Sequence, residues 1–163
     1  HPAIRRLTMY HSTEAWKLEP KEQYIYPIDT RSSGSIDFPR GISDIVFIGP
    51  TTFLSLERVI VITPAGPEFR VEIYECDLGS ATDVSLHESL PILPTLIDPT
   101  KMVSKKLILR LASLRSKIGQ IENFEGIALG PTLSDGQRTV LLVSDDNFMR
   151  NLRTQFLMLS IKE

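Results

Sequence analysis

Asn123-Phe124-Glu125-Gly126-Ile127-Ala128-Leu129-Gly130-Pro131, followed by Thr139-Val140-Leu141-Leu142-Val143-Ser144-Asp145-Asp146-Asn147-Phe148, is the stretch whose reading decides the fold. Each part is a short β-type run bounded by turn formers or acids. Ser134-Asp135-Gly136 between them is a tight-turn signal. The stretch has an earlier echo. Ser43-Asp44-Ile45-Val46-Phe47-Ile48-Gly49-Pro50-Thr51 lies beside Phe124–Thr132, and Phe53-Leu54-Ser55-Leu56-Glu57-Arg58 beside Leu141–Asp146. Both copies run acid, strand, Gly-Pro-Thr, strand, acid, and both reach a third strand, Phe69–Leu78 in one and Gln155–Ile161 in the other. Chance also produces short two-copy patterns. Taken at face value, a three- or four-strand unit that recurs is the mark of a β-propeller blade.

Working outward, Ile4–Tyr10 and Gln23–Ile28 are β-type runs, followed by the turn-forming loop Asp29-Thr30-Arg31-Ser32-Ser33-Gly34-Ser35. Phe69–Leu78 alternates, with Val71, Ile73 and Glu75 on one side and Glu72, Tyr74 and Cys76 on the other. Pro91, Pro94 and Pro99 make Ile92–Thr100 a loop. Lys106–Leu111 is a further strand, and Ala112–Ile121 has room for one or two helical turns. About nine short strands and almost no helix describe an all-β chain. We expect a single β domain over residues 1–163: 1–40 supply the outer strands of one blade and a loop, 41–111 a full blade, and 124–161 three strands of the next. This is a partial β-propeller of about two blades, where closed ones use about four to eight. The expectation is therefore the C-terminal portion of a larger propeller, completed by a missing N-terminal part or by another copy of the chain, since an open set exposes sheet edges.

Composition removes several classes of function. The 163 residues carry a net charge of −2 and ordinary apolar content, which suits neither disorder nor nucleic-acid binding. Trp16 and the Phe residues are not interleaved with basic ones, which also argues against single-stranded nucleic acid. No apolar run approaches the roughly 18 residues of a membrane span. The lone Cys76 forms no internal disulfide and reads as a packing residue rather than a catalytic thiol. His1, His11 and His87 lack zinc-type spacing. Hydrolase-elbow, phosphate-loop and dinucleotide motifs do not occur.

The chemistry that remains is acidic. Antiparallel pairing of the two strands in each copy would bring Asp44 near Glu57 and Arg58, and Glu125 near Asp145, Asp146 and Asn147. Carboxylates and an amide gathered at one strand end suit a hard cation, Ca²⁺ or Mg²⁺. A solvated turn at Asp145-Asp146-Asn147 is the other reading. Arg58 offers a planar fork to a phosphate or carboxylate, or an ordinary ion pair. The lysines and arginines between Lys101 and Lys117 read as a solvated face.

The chain resembles the phytase-like family described as "esterase-like activity of phytase". The resemblance rests on Asn123-Phe124-Glu125-Gly126, Leu141–Phe148 and Thr154-Gln155-Phe156-Leu157. Upstream it rests on Gly41-Ile42-Ser43-Asp44, Phe53–Arg58 and Val71–Leu78. It implies a propeller-like β domain larger than this chain, phosphoester chemistry served by acids, and frequent export to the periplasm or outside the cell. The matched acids are Asp44, Glu57, Glu125, Asp145 and Asp146. Lactonase-type propellers, which hold calcium with a Glu and an Asp-Asn pair, are a fold-level analogy. Two functions compete. The first is a hydrolase of small phosphorylated or ester substrates, with calcium held by Asp44, Glu125, Asp145, Asp146 and Asn147, Glu57 as base and Arg58 as anion clamp. The second is a non-catalytic binding or scaffold module with a structural calcium ion.

Overall fold

The fold follows from strand pairing, and a computed structural model describes it for residues 3–28, 36–37, 40–90 and 97–161. The loop expected over Asp29–Ser35 and most of the proline loop lie outside the described residues. Among the described residues ten strands form three antiparallel sheets, and the helical content is limited to short turns. The all-β expectation holds. No described helix is long and apolar enough to cross a membrane.

The chain divides into two compact units, His1–Arg31 with Cys76–Lys105, and Ser32–Glu75 with Lys106–Glu163. In the first, β1 (Ala3–Glu14) and β2 (Lys17–Ile28) form a long hairpin. Trp16 makes its turn with φ of 70° and is fully exposed. The strands run well past the expected Ile4–Tyr10 and Gln23–Ile28. The extra residues are mostly polar, and the cross-strand pair His11 with Glu22 and the pair Lys17 with Glu19 within β2 support them. Loop backbone also bonds to β2: Val84 N–H donates to Gln23 O and Val103 N–H to Ile25 O. Ile25, Val84 and Met102 form the small core underneath. Cys76 is fully buried, its sulfur 3.7 Å from the Tyr26 hydroxyl, which makes it a packing residue.

The second unit holds most of the other two sheets. β4 (Gly41–Phe47), β5 (Thr52–Thr63), β6 (Gly66–Asp77) and β7 (Ser104–Arg110) pair in chain order. The two-residue β3 (Ile36–Asp37) adds to the far end of β5. β6 and β7 each continue a short way into the first unit. β8 (Asn123–Leu129), β9 (Arg138–Asp145) and β10 (Phe156–Ile161) form the other sheet. β5 extends beyond the expected Phe53–Leu56 because Val59-Ile60-Val61-Ile62 continues the β-branched pattern. A short 3₁₀ turn, Leu111–Leu114, and the single helical turn α1 (Arg115–Ile118) occupy the segment expected to be helical.

One face of β5 and β6 packs on β8 and β9. Leu54, Leu56, Val71 and Ile73 meet Phe124, Ile127, Val140 and Leu142 in the main core, with Leu111 and Ile121 closing it. Burying side chains of this size contributes about 1.5–3 kcal/mol each. The opposite face of β6 is not solvated either, since Tyr74 and Cys76 are both buried. This is why its apolar alternation looks imperfect in sequence: a strand covered on both sides has no need of a polar face.

Candidate functional site

Two matching irregularities position the site. The β4–β5 register runs Phe47↔Phe53 to Asp44↔Leu56, then resumes at Ile42↔Glu57, leaving Ser43 as an extra residue. The β8–β9 register runs Leu129↔Val140 to Gly126↔Val143, then resumes at Phe124↔Ser144, leaving Glu125 extra. Such bulges bend a strand and re-aim the side chain at the bulge. Both bulge residues meet Arg58. Its Nε donates to Ser43 Oγ at 3.1 Å and its Nη2 to Glu125 Oε1 at 2.7 Å. The Asn123 side-chain amide donates to the same Glu125 oxygen at 2.7 Å. Arg58 is thus held at two points, while Nη1 makes no hydrogen bond among the described residues. The guanidinium side chain is 29 % exposed.

Arg58 also borders two cavities of the second unit. A smaller one of about 360 Å³ is lined by Gly41, Ile42, Ser43, Val59, Ile60 and Glu125. A larger groove of about 1020 Å³ runs from Arg58 past Ile60, Ile62 and Phe69 to Asn123, Asn147 and Met149.

The pairing register changes which residues of the two copies correspond. The Gly-Pro signals align Asp44 with Glu125 and Glu57 with Asp145. Counted from the bulges, Ser43 corresponds to Glu125, Glu57 to Ser144 and Arg58 to Asp145. Ile48, an additional residue between the last β4 pair and Gly49, accounts for the slip. A slip of one residue turns a side chain to the other face. Glu57 and Arg58 therefore point to opposite faces of β5. Arg58 shares its face with Leu54 and Leu56, whereas Glu57 is fully buried among other groups.

Those groups form a charged network. Arg40 Nη1 lies 2.5 Å from Glu72 Oε2 and 3.8 Å from Glu57 Oε2. The Tyr74 hydroxyl donates to Glu72 at 2.7 Å, and Arg110 Nε at 3.0 Å. Burial works to raise the Glu72 carboxyl, but the Tyr74 hydrogen bond and the two guanidinium groups outweigh it and hold the carboxyl below its ordinary value. Burial first, and then Glu72 itself, push the Tyr74 phenol far up. Tyr74 stays protonated and acts as a donor throughout the physiological range.

The remaining acids are engaged locally. Asp44 Oδ1 accepts from the Ile45 N–H and Oδ2 from the Ile127 N–H at 2.9 Å, which ties β4 to β8. Asp145 and Asp146 accept from the Asn147 and Phe148 backbone N–H groups, closing a turn in which both of those residues have positive φ. Among the described residues no three His, Cys, Asp or Glu side chains come together as a metal site requires. As arranged, Asp44, Glu125, Asp145, Asp146 and Asn147 do not fit one calcium shell, because Glu125 faces Arg58 and the Asp carboxylates satisfy backbone donors.

Sequence reasoning singled out none of Ser43, Asn123, Arg40, Glu72, Tyr74 and Arg110 as site residues; Glu72 and Tyr74 entered only as strand positions and Arg110 only as part of a solvated basic face. Ser43 and Asn123 lie inside the stretches that carry the family resemblance. The network residues are scattered along the chain, and no local pattern joins them. No curated protein and no solved structure matches the chain. A family model described as "Phytase-like: Esterase-like activity of phytase" matches residues 2–148, reaching further toward the N-terminus than the motifs above and stopping before Thr154-Gln155-Phe156-Leu157. That span takes in both bulges, Arg58, Glu125 and Asn123, and the chain belongs to the phytase-like family.

Proposed function

We propose that this is a phytase-like hydrolase domain for phosphoesters or carboxylic esters, and that its polar centre is Arg58 with Glu125, Ser43 and Asn123. The observation that carries the reading is the two-point hold on Arg58 at the wall shared by two cavities. A guanidinium fixed in this way needs little reordering to grip an anionic oxygen through its remaining N–H groups. Glu125, touching the same guanidinium, is the carboxylate best placed to take a proton from water. The water oxygen would bond to phosphorus or to the carbonyl carbon, and its proton would pass to Glu125. As the ester bond breaks, Glu125 would return that proton to the departing alkoxide oxygen, so that the alcohol leaves and the carboxylate is restored. Glu57 has no part in this step, since it is buried on the opposite face.

We place the domain in a β-propeller. The pairing order β4-β5-β6-β7 is that of a four-stranded blade, and β8-β9-β10 is that of the first three strands of another. The packing of one face of β5 and β6 onto β8 and β9 supports this reading.

The test is hydrolysis of 4-nitrophenyl phosphate and 4-nitrophenyl butyrate by the chain and by Glu125→Gln and Arg58→Gln, with circular dichroism confirming folding. The expected loss is about 100-fold or more in kcat for Glu125→Gln, in keeping with removal of a general base. Undiminished activity in a folded Glu125→Gln protein sinks the assignment. Absence of turnover of either ester, with anion binding still dependent on Arg58, would favour the second reading, a non-catalytic binding module. A structural calcium ion in such a module would have to draw Glu125 away from Arg58.

A further inference from the structure

We infer that the groove beside Arg58 takes an amphipathic ester bearing a single anionic group, not a polyphosphate; this rests on the reading that Arg58 faces the substrate. Alternation along β5 puts Arg58, Ile60 and Ile62 on one face, a row whose backbone runs about 13 Å from Arg58 to Ile62. Phe69, Ile121 and Met149 face the same space. The groove therefore has a cationic end and a long apolar wall.

Charge decides against a polyanion. The groove is bordered by two arginines, Arg58 and Arg115. Arg58 is paired with Glu125 and Arg115 with Glu68, the latter at 3.2 Å, and Glu68 itself lines the groove. Two positive charges answered by two carboxylates leave no excess to neutralise several phosphates. One anionic group can share Arg58 with Glu125, and the apolar wall can then bury a hydrocarbon or aromatic portion at about 25 cal/mol per Å². Asn123 adds a second polar element. Its Nδ2 is turned to Glu125, which fixes the amide orientation, and its Oδ1 is buried without a hydrogen-bond donor. That unmet buried acceptor costs about 1–3 kcal/mol.

The experiment is titration calorimetry on the intact chain with octyl phosphate, inorganic phosphate and myo-inositol hexakisphosphate. Arg58→Gln and Ile62→Glu are tested in parallel; Ile62 is partly exposed, so its variant should fold. Octyl phosphate is expected to bind at least tenfold more tightly than either of the other two. Ile62→Glu should weaken it at least tenfold, and so should Arg58→Gln. Hexakisphosphate binding as tight as octyl phosphate overturns the inference, as does unchanged octyl phosphate affinity in a folded Ile62→Glu protein. If Arg58→Gln binds normally while Ile62→Glu does not, the groove stands as an apolar site, but the reading of Arg58 as the anion clamp falls, and with it the single-anion claim.

Discussion

Replacing Arg40 with Met should uncover the energetic weight of the buried network. Arg40 Nη1 lies close to both Glu72 and the fully buried Glu57, and its own side chain is largely buried. Methionine keeps most of the volume and removes the charge, leaving two carboxylates facing a less polar space. Removing one partner from such a buried arrangement costs up to about 3–5 kcal/mol, reduced by what the Tyr74 and Arg110 hydrogen bonds to Glu72 retain. For a chain of this size that corresponds to a fall in the unfolding midpoint of up to roughly 6–20 °C. The reporter should be far-UV circular dichroism or hydrogen exchange of β5 amides. Trp16, the only tryptophan, lies in the other compact unit and would report on the wrong region. The effect also depends on pH. In the wild type the Glu72 carboxyl is held below its ordinary value of 4.5. Its contribution is therefore present above that value and is lost as pH falls through the lower folded value. Arg40→Met should be most damaging at neutral pH and progressively less damaging as pH falls through the lowered folded value of Glu72. A loss below about 1 kcal/mol at neutral pH, or a loss independent of pH, would refute the account, since a surface-type pair contributes no more than that.

Three further outcomes follow from local geometry. A Cβ on Gly130 would sit 2.4 Å from Thr139 Oγ1, so Gly130→Ala should destabilise by about 1–3 kcal/mol in urea titration, whereas Gly136→Ala should suffer only from its positive φ of 85°. Cys76 is sealed in the core, so a thiol reagent such as 5,5′-dithiobis(2-nitrobenzoic acid) should label the native chain far more slowly than the chain in urea; rapid native labelling would contradict the packing beside Tyr26. Calcium should shift the wild-type unfolding midpoint little, because Arg58 occupies Glu125, and should shift Arg58→Gln more; a large wild-type shift, unchanged in that variant, would show that the acids regroup into a metal site.

The candidate site was only half legible in the sequence. The residues that meet at Arg58 were within reach, since Glu125 was singled out and Ser43 and Asn123 lie in the stretches that carry the resemblance. Glu57 and Arg58, paired as base and clamp in the sequence analysis, are neighbours on a regular part of β5 and so point to opposite faces. Glu57 resembles a strand-end acid in sequence, and only its enclosure with Arg40 shows it to be interior.

What the sequence determined by itself is local. Alternating apolar runs, β-branched clusters and Gly-Pro or Asp-Gly turns are short-range properties, and they specify strands and hairpins without reference to the rest of the chain. The four-strand and three-strand groupings were legible for the same reason. The tertiary structure decided the register. One extra residue at Ser43 and one at Glu125 determine which side chains reach Arg58, and a single-residue slip inverts every face beyond it. It also decided the partners of the buried charges. Arg40, Glu57, Glu72 and Arg110 are far apart along the chain, and only the side-by-side pairing of β4, β5, β6 and β7 brings them together. Charges removed from water must find one another, and that requirement acts through space and not along the sequence.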